Sequence, residues 1–408
     1  MGKGRNKNKD KDAYSGPQRP RLGRHDSDSD ESVSTHLTFD DDLSSVQGDI
    51  ENLDDVFDKL TENLDNATHK NVSIRTSALD GLIFALTSQY VPEFVLRNKM
   101  TLVSLANKLD NKTEEEATRL AVLVSLVAIQ AGEEISDLIE DPLSQMRTIL
   151  MDLSKSSVLR GTCALSMAVT SRISCENEEI IAANIKACRF AWTNIRNNSP
   201  NSKLFSICLQ SWCLLLLDGD YSTIKAATDD QPKIVGYLNA DQLDIRITAG
   251  EALAFLHEYM QEAKPGYSRF PNHDTVLEIF EGLIGDTTKR KTKKDKRIQR
   301  FSFREIYAYL NDDEDTPEVN IKFGEETLVL NSCTIKLIYD LLCEVLHGGM
   351  MKQLQKNEVL REVFGLGTPQ LTSDSSISKI SRMAYHDATQ KARNQIRGKQ
   401  RDKRTAAY

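Results

Sequence analysis

The sequence predicts an all-α protein: an armadillo/HEAT-like helical solenoid, a small mostly helical C-terminal domain with a β-hairpin, and a basic C-terminal helix. Three observations predict it. A pattern led by arginine recurs through the first two-thirds of the chain. The helical texture breaks near residue 265 and resumes differently. The last thirty residues are strongly cationic, although the 408-residue chain carries a net charge of -8.

The recurrent pattern sets the architecture. Arg75, Arg119, Arg160 and Arg246 each precede a run of apolar and small residues, with Lys203 standing where a further copy is due. The successive spacings are 44, 41, 43 and 43 residues. Three residues after the arginine stands Ala78, Val122, Cys163 or Ala249; six after it stands the small residue Gly81, Ser125, Ser166 or Ala252; seven after it stands Leu82, Leu126, Met167 or Leu253. Helical repeats of roughly 40–47 residues are those of the armadillo and HEAT solenoids. One hairpin cannot cover its own apolar face, so neighbours stack and small residues let the helices approach. The leading arginine fits either a pair with an acid in the adjacent repeat or a solvated helix start. Trp192, Phe205 and Trp212 lie in strongly apolar helical patterns and are expected in the core.

Four stretches follow from composition. Residues 1–48 form a tail with few large apolar side chains, which cannot bury enough surface to order themselves. Residues 1–24 carry eight Lys/Arg and two Asp, and residues 26–58 carry twelve Asp/Glu and no Lys/Arg. Ser27 and Ser29 stand among acids, a context that suits an acid-directed kinase. The acidic stretch is placed to shield the chain's own basic parts, though a solvated linker is the simpler reading. Residues 49–265 hold the repeats. Residues 266–368 form the C-terminal domain, with helices about Asp274–Leu283 and Phe301–Leu310. Alternation over Val319–Leu330 around Phe323-Gly324 reads as a hairpin. Helices about Ser332–Leu346 and Met351–Phe364 follow, split by Gly348-Gly349. Residues 369–408 are a linker and the basic helix.

The cations fall in two places. Between Lys289 and Arg300 there are eight Lys/Arg, of which Lys293, Lys294, Lys296, Arg297 and Arg300 are candidate RNA contacts. From Lys379 to Arg404 nine Lys/Arg stand against two Asp: Lys379, Arg382, Lys391, Arg393, Arg397, Lys399, Arg401, Lys403 and Arg404. Ala384, Ala388 and Ala392 recur every four residues, which predicts one long helix. A helix with cations around most of its circumference has no face for a protein core. It suits surroundings of phosphate, such as an RNA groove or channel. A solvated tail or a nuclear-import run fits the same composition.

No catalytic chemistry stands out. The seven histidines and seven cysteines fall at no recognised metal-ligand spacing, and the chain contains no C-x-x-C, phosphate loop, dinucleotide fingerprint or nucleophile elbow. No catalytic residue, metal or cofactor is expected, and an elongated repeat surface favours binding over catalysis. Neither a membrane span nor a secretory signal is expected. The cysteine usage fits a reducing compartment.

The order of parts resembles the interferon-related developmental regulator family. The resemblance rests on Arg75 to Ala85, Met100-Thr101-Leu102, and Arg246-Ile247 with Ala249-Gly250-Glu251. It continues in Asp295-Lys296-Arg297, Gln299-Arg300, Phe303-Arg304, Ile321 to Gly324, Tyr339-Asp340, Glu344 to Leu346 and Asn357 to Phe364. In the tail it covers Tyr385, Lys391 to Arg393, Arg397, Lys399 and Arg401 to Arg404. Asn394-Gln395-Ile396 and Gln400 depart from the family's lysine- and cysteine-bearing pattern. The resemblance implies one of two roles. The first is a cytoplasmic repressor of translation that covers the tRNA sites of idle ribosomes and places its basic helix in the mRNA channel, with rRNA and ribosomal proteins as partners. The second is a nuclear transcriptional co-regulator that works through histone-deacetylase co-repressor proteins docked on the solenoid. Neither implies a membrane or a small-molecule substrate.

Overall fold

The computed structural model describes residues 53–196, 199–263, 266–285, 292–311 and 318–369. Twelve helices come first: α1 (Leu53–Asn66), α2 (Val72–Ser88), α3 (Pro92–Ser104), α4 (Glu114–Ala131), α5 (Glu140–Met151), α6 (Ser157–Ser174), α7 (Glu178–Thr193), α8 (Ser202–Leu216), α9 (Tyr221–Tyr237), α10 (Leu243–Ala263), α11 (His273–Ile284) and α12 (Lys293–Leu310). Polar residues start most of them where the first amides need acceptors. Asn71, Thr113, Ser156, Asn177, Asp220 and Thr292 each accept a backbone N–H of the helix that follows.

The helices stack in two layers. The even-numbered helices α2, α4, α6, α8, α10 and α12 pack in sequence as an inner row, and each odd-numbered helix backs the next even-numbered one. This is the expected solenoid, and it runs through α11 and α12 rather than stopping at residue 265. Trp192, Phe205 and Trp212 are fully buried, as expected.

The leading arginines divide into two kinds. Arg75 forms a two-pronged bond with Glu116 of the next repeat, at 2.8 and 3.0 Å. Arg119 reaches back to Asp80 at 2.7 Å. Arg160 and Arg246 are buried and turn inward: Arg160 donates to the Leu150 carbonyl, and Arg246 to those of Ala240 and Asp241. Acid pairing between repeats therefore holds for two of the four arginines. The other two satisfy carbonyls that would otherwise be stranded between helices.

The C-terminal elements return over the row. β1 (Val319–Phe323) and β2 (Glu326–Leu330) form the expected antiparallel hairpin, with Phe323 opposite Glu326. Its two-residue turn needs a left-handed first position, which Gly324 supplies at φ +61°. α13 (Cys333–Leu346) then crosses α10, α8, α6, α4 and α2 in turn. α14 (Met350–Lys356) lies on α2, and α15 (Glu358–Val363) lies on α4. The single helix expected over Met351–Phe364 is broken at Asn357, which caps α15 by accepting the Leu360 N–H.

Specific polar contacts fix this return. Glu258 of α10 accepts the Cys333 and Thr334 amides at the start of α13, at 2.8 and 3.0 Å. Gln353 donates to the carbonyls of Leu86, Thr87 and Gln89 at the end of α2, and Asn357 donates to that of Ile129 in α4. A Cβ at Gly349 would sit 2.1 Å from the Thr87 carbonyl oxygen, so only glycine allows this approach. Arg361, almost wholly buried, pairs with both oxygens of Glu326 at 2.7 Å and donates to the carbonyls of Leu354 and Gly367. As a result α4, α6, α8 and α10 are buried on nearly every side over their central turns. A helix buried all round is a core helix, with no face left for solvent.

Candidate nucleic-acid interface

Every candidate cation that the structure describes lies on α12. Thr292 starts this helix by accepting the Asp295 N–H at 3.0 Å. Its inward face carries Gln299, Ser302, Phe303, Ile306 and Leu310, all buried. Phe303 packs on Phe280 of α11 with ring centres 5.5 Å apart. Gly250 of α10 faces the same cluster; a Cβ there would lie 3.0 Å from Ile306 and 3.1 Å from Phe280 and Phe303. Gln299 locks the rotation of the helix. Its side-chain oxygen accepts from Arg246 at 2.8 Å, and its amide donates to the Leu283 carbonyl at 2.7 Å.

With that face fixed, the opposite one is set by the 3.6-residue period. Lys294, Arg297, Phe301 and Arg304 follow at steps of three, four and three residues, with Arg300 beside them. All five are exposed, Phe301 by 40%. Among the described residues, Lys294, Arg297, Arg300 and Arg304 make no salt bridge. They form a row nearly three turns long of unneutralised cations around one aromatic ring. Phosphates attract such a row, and an exposed aromatic can stack on a base.

The five candidates from the first basic run thus share one helix. Lys293 opens α12, Lys294, Arg297 and Arg300 lie on its exposed face, and Lys296 is half-buried at the side. Two members were missed by sequence reasoning, Phe301 and Arg304. The signal was present, since Arg304 stands seven residues after Arg297, but counting charge density ended the run at Arg300. Lys379, Arg382, Lys391, Arg393, Arg397, Lys399, Arg401, Lys403 and Arg404 lie outside the described residues. So do Lys289, Arg290 and Lys291.

The rest of the described surface offers little for chemistry. No group of three or more His, Cys, Asp or Glu among the described residues could hold a metal ion. All seven cysteines are free, and burial pushes the Cys163 and Cys208 thiols up to about 12, far from the thiolate form that a nucleophile needs. No described helix is long and apolar enough to cross a membrane.

A sequence model of the interferon-related developmental regulators matches residues 26–311, and one for an interferon-related conserved region matches residues 357–405. This chain belongs to the interferon-related developmental regulator family. The second match spans α15 and the basic segment from Lys379 to Arg404. Mouse interferon-related developmental regulator 1 is 31% identical over 364 residues, covering 85% of this chain and 81% of the mouse protein. The human regulator 1 is 30% identical over 364 residues, covering 85% and 80%. Mouse interferon-related developmental regulator 2 is 30% identical over 380 residues, covering 87% and 83%. Among solved structures, an engineered protein matches with a TM-score of 0.42 at 14% identity, covering 62% of this chain and 97% of that one. A designed armadillo repeat protein matches with a TM-score of 0.39 at 16% identity, covering 60% and 99%.

Proposed function

We propose that this member of the family is a ribosome-binding repressor of translation, a binding protein rather than an enzyme. In this reading the basic segment from Lys379 to Arg404 occupies the mRNA channel of idle ribosomes and excludes mRNA by occupancy. The tRNA sites are covered by the folded body, and the α12 row contacts rRNA. The reading places the protein in the cytoplasm. The observation that carries it is the unneutralised row Lys294, Arg297, Arg300 and Arg304 around Phe301, on a chain that is acidic overall. The basic segment adds nine further cations within a region that the family conserved-region model covers.

The co-regulator reading draws on the same cations as import signals and needs an open docking face on the repeats for histone-deacetylase partners. The inner row of helices is the face such a groove would use, and α13, α14 and α15 lie across it. This favours the ribosome reading. The test is a sucrose-gradient profile of cell extract for the intact protein and for a version ending at Thr372. The expected result is intact protein with monosomes, absent from polysomes, and truncated protein at the top. Intact protein at the top of the gradient and in nuclei would overturn the proposal in favour of co-regulation.

A further inference from the structure

A recess of about 390 Å³ lies on the repeats, where the first turn of α6 meets the end of α7 and the start of α8. Arg160 and Arg196 line it and no acid does, while Leu153, Ile195, Pro200 and Leu204 give it apolar walls. Arg160 is only 6% exposed. Its Nε donates to the Leu150 carbonyl at 2.9 Å, but its Nη2 is buried and makes no hydrogen bond. A buried guanidinium N–H without an acceptor is costly, and the recess beside it is where an acceptor would enter. Asp152 does not fill that role. It accepts from the hydroxyl and amide of Ser154, at 2.7 and 2.9 Å, and these bonds hold its carboxyl below the usual range, with Lys155 and Arg160 acting only through space. The start of α8 reaches the same recess through Asn201 and Leu204. Asn201 makes no capping bond, so its side chain leaves the first amides, at the positive end of the helix dipole, to another acceptor.

An anion bound here must bring apolar surface with it. A nucleic-acid phosphate carries a sugar on each side and cannot lead with its charge toward a buried guanidinium. No aromatic side chain lines the recess to stack a base. An Asp or Glu within a chain spends its side chain on the charge and has none left for the walls. A chain-terminal aliphatic residue has both, because its carboxylate and its side chain leave the same Cα. We propose that the recess captures the C-terminal carboxylate of a partner chain that ends in an aliphatic residue. The carboxylate takes the Arg160 Nη2 and the first amides of α8, a form of terminal-carboxylate capture by backbone N–H groups. The last side chain packs among Leu153, Ile195 and Leu204, and the exposed Arg196 adds attraction at longer range. This site serves a protein partner and is independent of the α12 row.

Isothermal titration of the full-length chain with N-acetyl-leucyl-leucine tests this inference without reference to the ribosome. The free acid should bind, and its C-terminal amide should bind at least about tenfold more weakly, the loss expected when a charge-assisted bond to a buried guanidinium is removed. Asn201→Asp is the decisive variant. It supplies the missing cap to α8 and puts a negative charge in the anion's place. The chain should then unfold at no lower a denaturant concentration than the wild type, while its affinity for the free acid falls about tenfold or more. Arg160→Gln should lose affinity by a similar factor. Because Arg160 also holds the Leu150 carbonyl, Asn201→Asp keeps the test open if Arg160→Gln fails to fold. Equal binding of acid and amide, or no binding of the acid by the folded wild type, would overturn the inference. So would tighter binding of inorganic phosphate or of N-acetyl-leucyl-aspartyl-leucinamide, or an affinity unchanged in Asn201→Asp.

Discussion

The inner row of helices and the outward face of α12 belong to one solenoid but have opposite fates. The inner row is apolar and sealed by the chain's own α13, α14 and α15. The face of α12 is cationic and open, with no described acid paired to Lys294, Arg297, Arg300 or Arg304. In a repeat protein the inner row is the customary place for a ligand. Here that surface contributes stability, and the proposed recognition surface is the last rung of the stack. Burial fixes the first surface and charge fixes the second, so substitutions should separate them cleanly.

The largest expected effect comes from Arg361. Arg361→Ala strands Glu326 and several carbonyls and should cost about 3–5 kcal/mol of stability, measured by urea unfolding. An unfolding midpoint like that of the wild type would mean that the returned segment is not part of the cooperative core. Gln353→Leu should follow, at about 1–3 kcal/mol, because it takes the side-chain donor from the Thr87 carbonyl and leaves those of Leu86 and Gln89 to Gln130 alone. Hydrogen exchange should then quicken first in α14 and at the end of α2.

A pH series sharpens the contrast on the repeats themselves. The Arg75 guanidinium, hydrogen-bonded to Glu116, holds that carboxyl below the usual range, with Lys112 adding to the effect. A depressed carboxyl stabilises the fold above its unfolded value of about 4.3, and that contribution is lost as pH falls through the folded value. Glu116→Gln should therefore cost about 2 kcal/mol at pH 7 and less at pH 3. Equal loss at both pH values would mean that packing, not the ion pair, holds α2 to α4. The smallest effect on the fold belongs to Phe301→Ala, which should leave stability within about 0.5 kcal/mol because the ring is exposed. It should still weaken RNA binding by about 1 kcal/mol if the ring stacks on a base.

Much of the solenoid was legible from the sequence because a repeat declares itself locally. The 41–44-residue spacing, the capping residues and the alternation around Phe323-Gly324 each act over a few turns. The return of α13 and α14 was not legible, because it depends on contacts between distant parts of the chain, such as Gln353 of α14 with Leu86, 267 residues apart. One signal did exist. The run Leu120-Ala-Val-Leu-Val-Ser-Leu-Val-Ala-Ile129 has no polar face, whereas a helix with one open side should show one. For the candidate interface, charge density found the α12 run, but the face itself emerged only when Gln299 and Phe303 fixed which side points inward. Arg160 read as a repeat marker, and nothing in its spacing disclosed a guanidinium N–H left without an acceptor.

The most direct test of the central claim is the salt dependence of binding to purified ribosomes, for the wild type and for Arg297→Glu/Arg300→Glu/Arg304→Glu. All three sites are exposed, so the variant should unfold at the same denaturant concentration as the wild type. It should bind more weakly, and the slope of log affinity against log salt should shrink by about 2, at roughly 0.7 per lost phosphate contact. Unchanged affinity and slope in a folded variant would contradict the account, and the α12 face would then be a solvated surface.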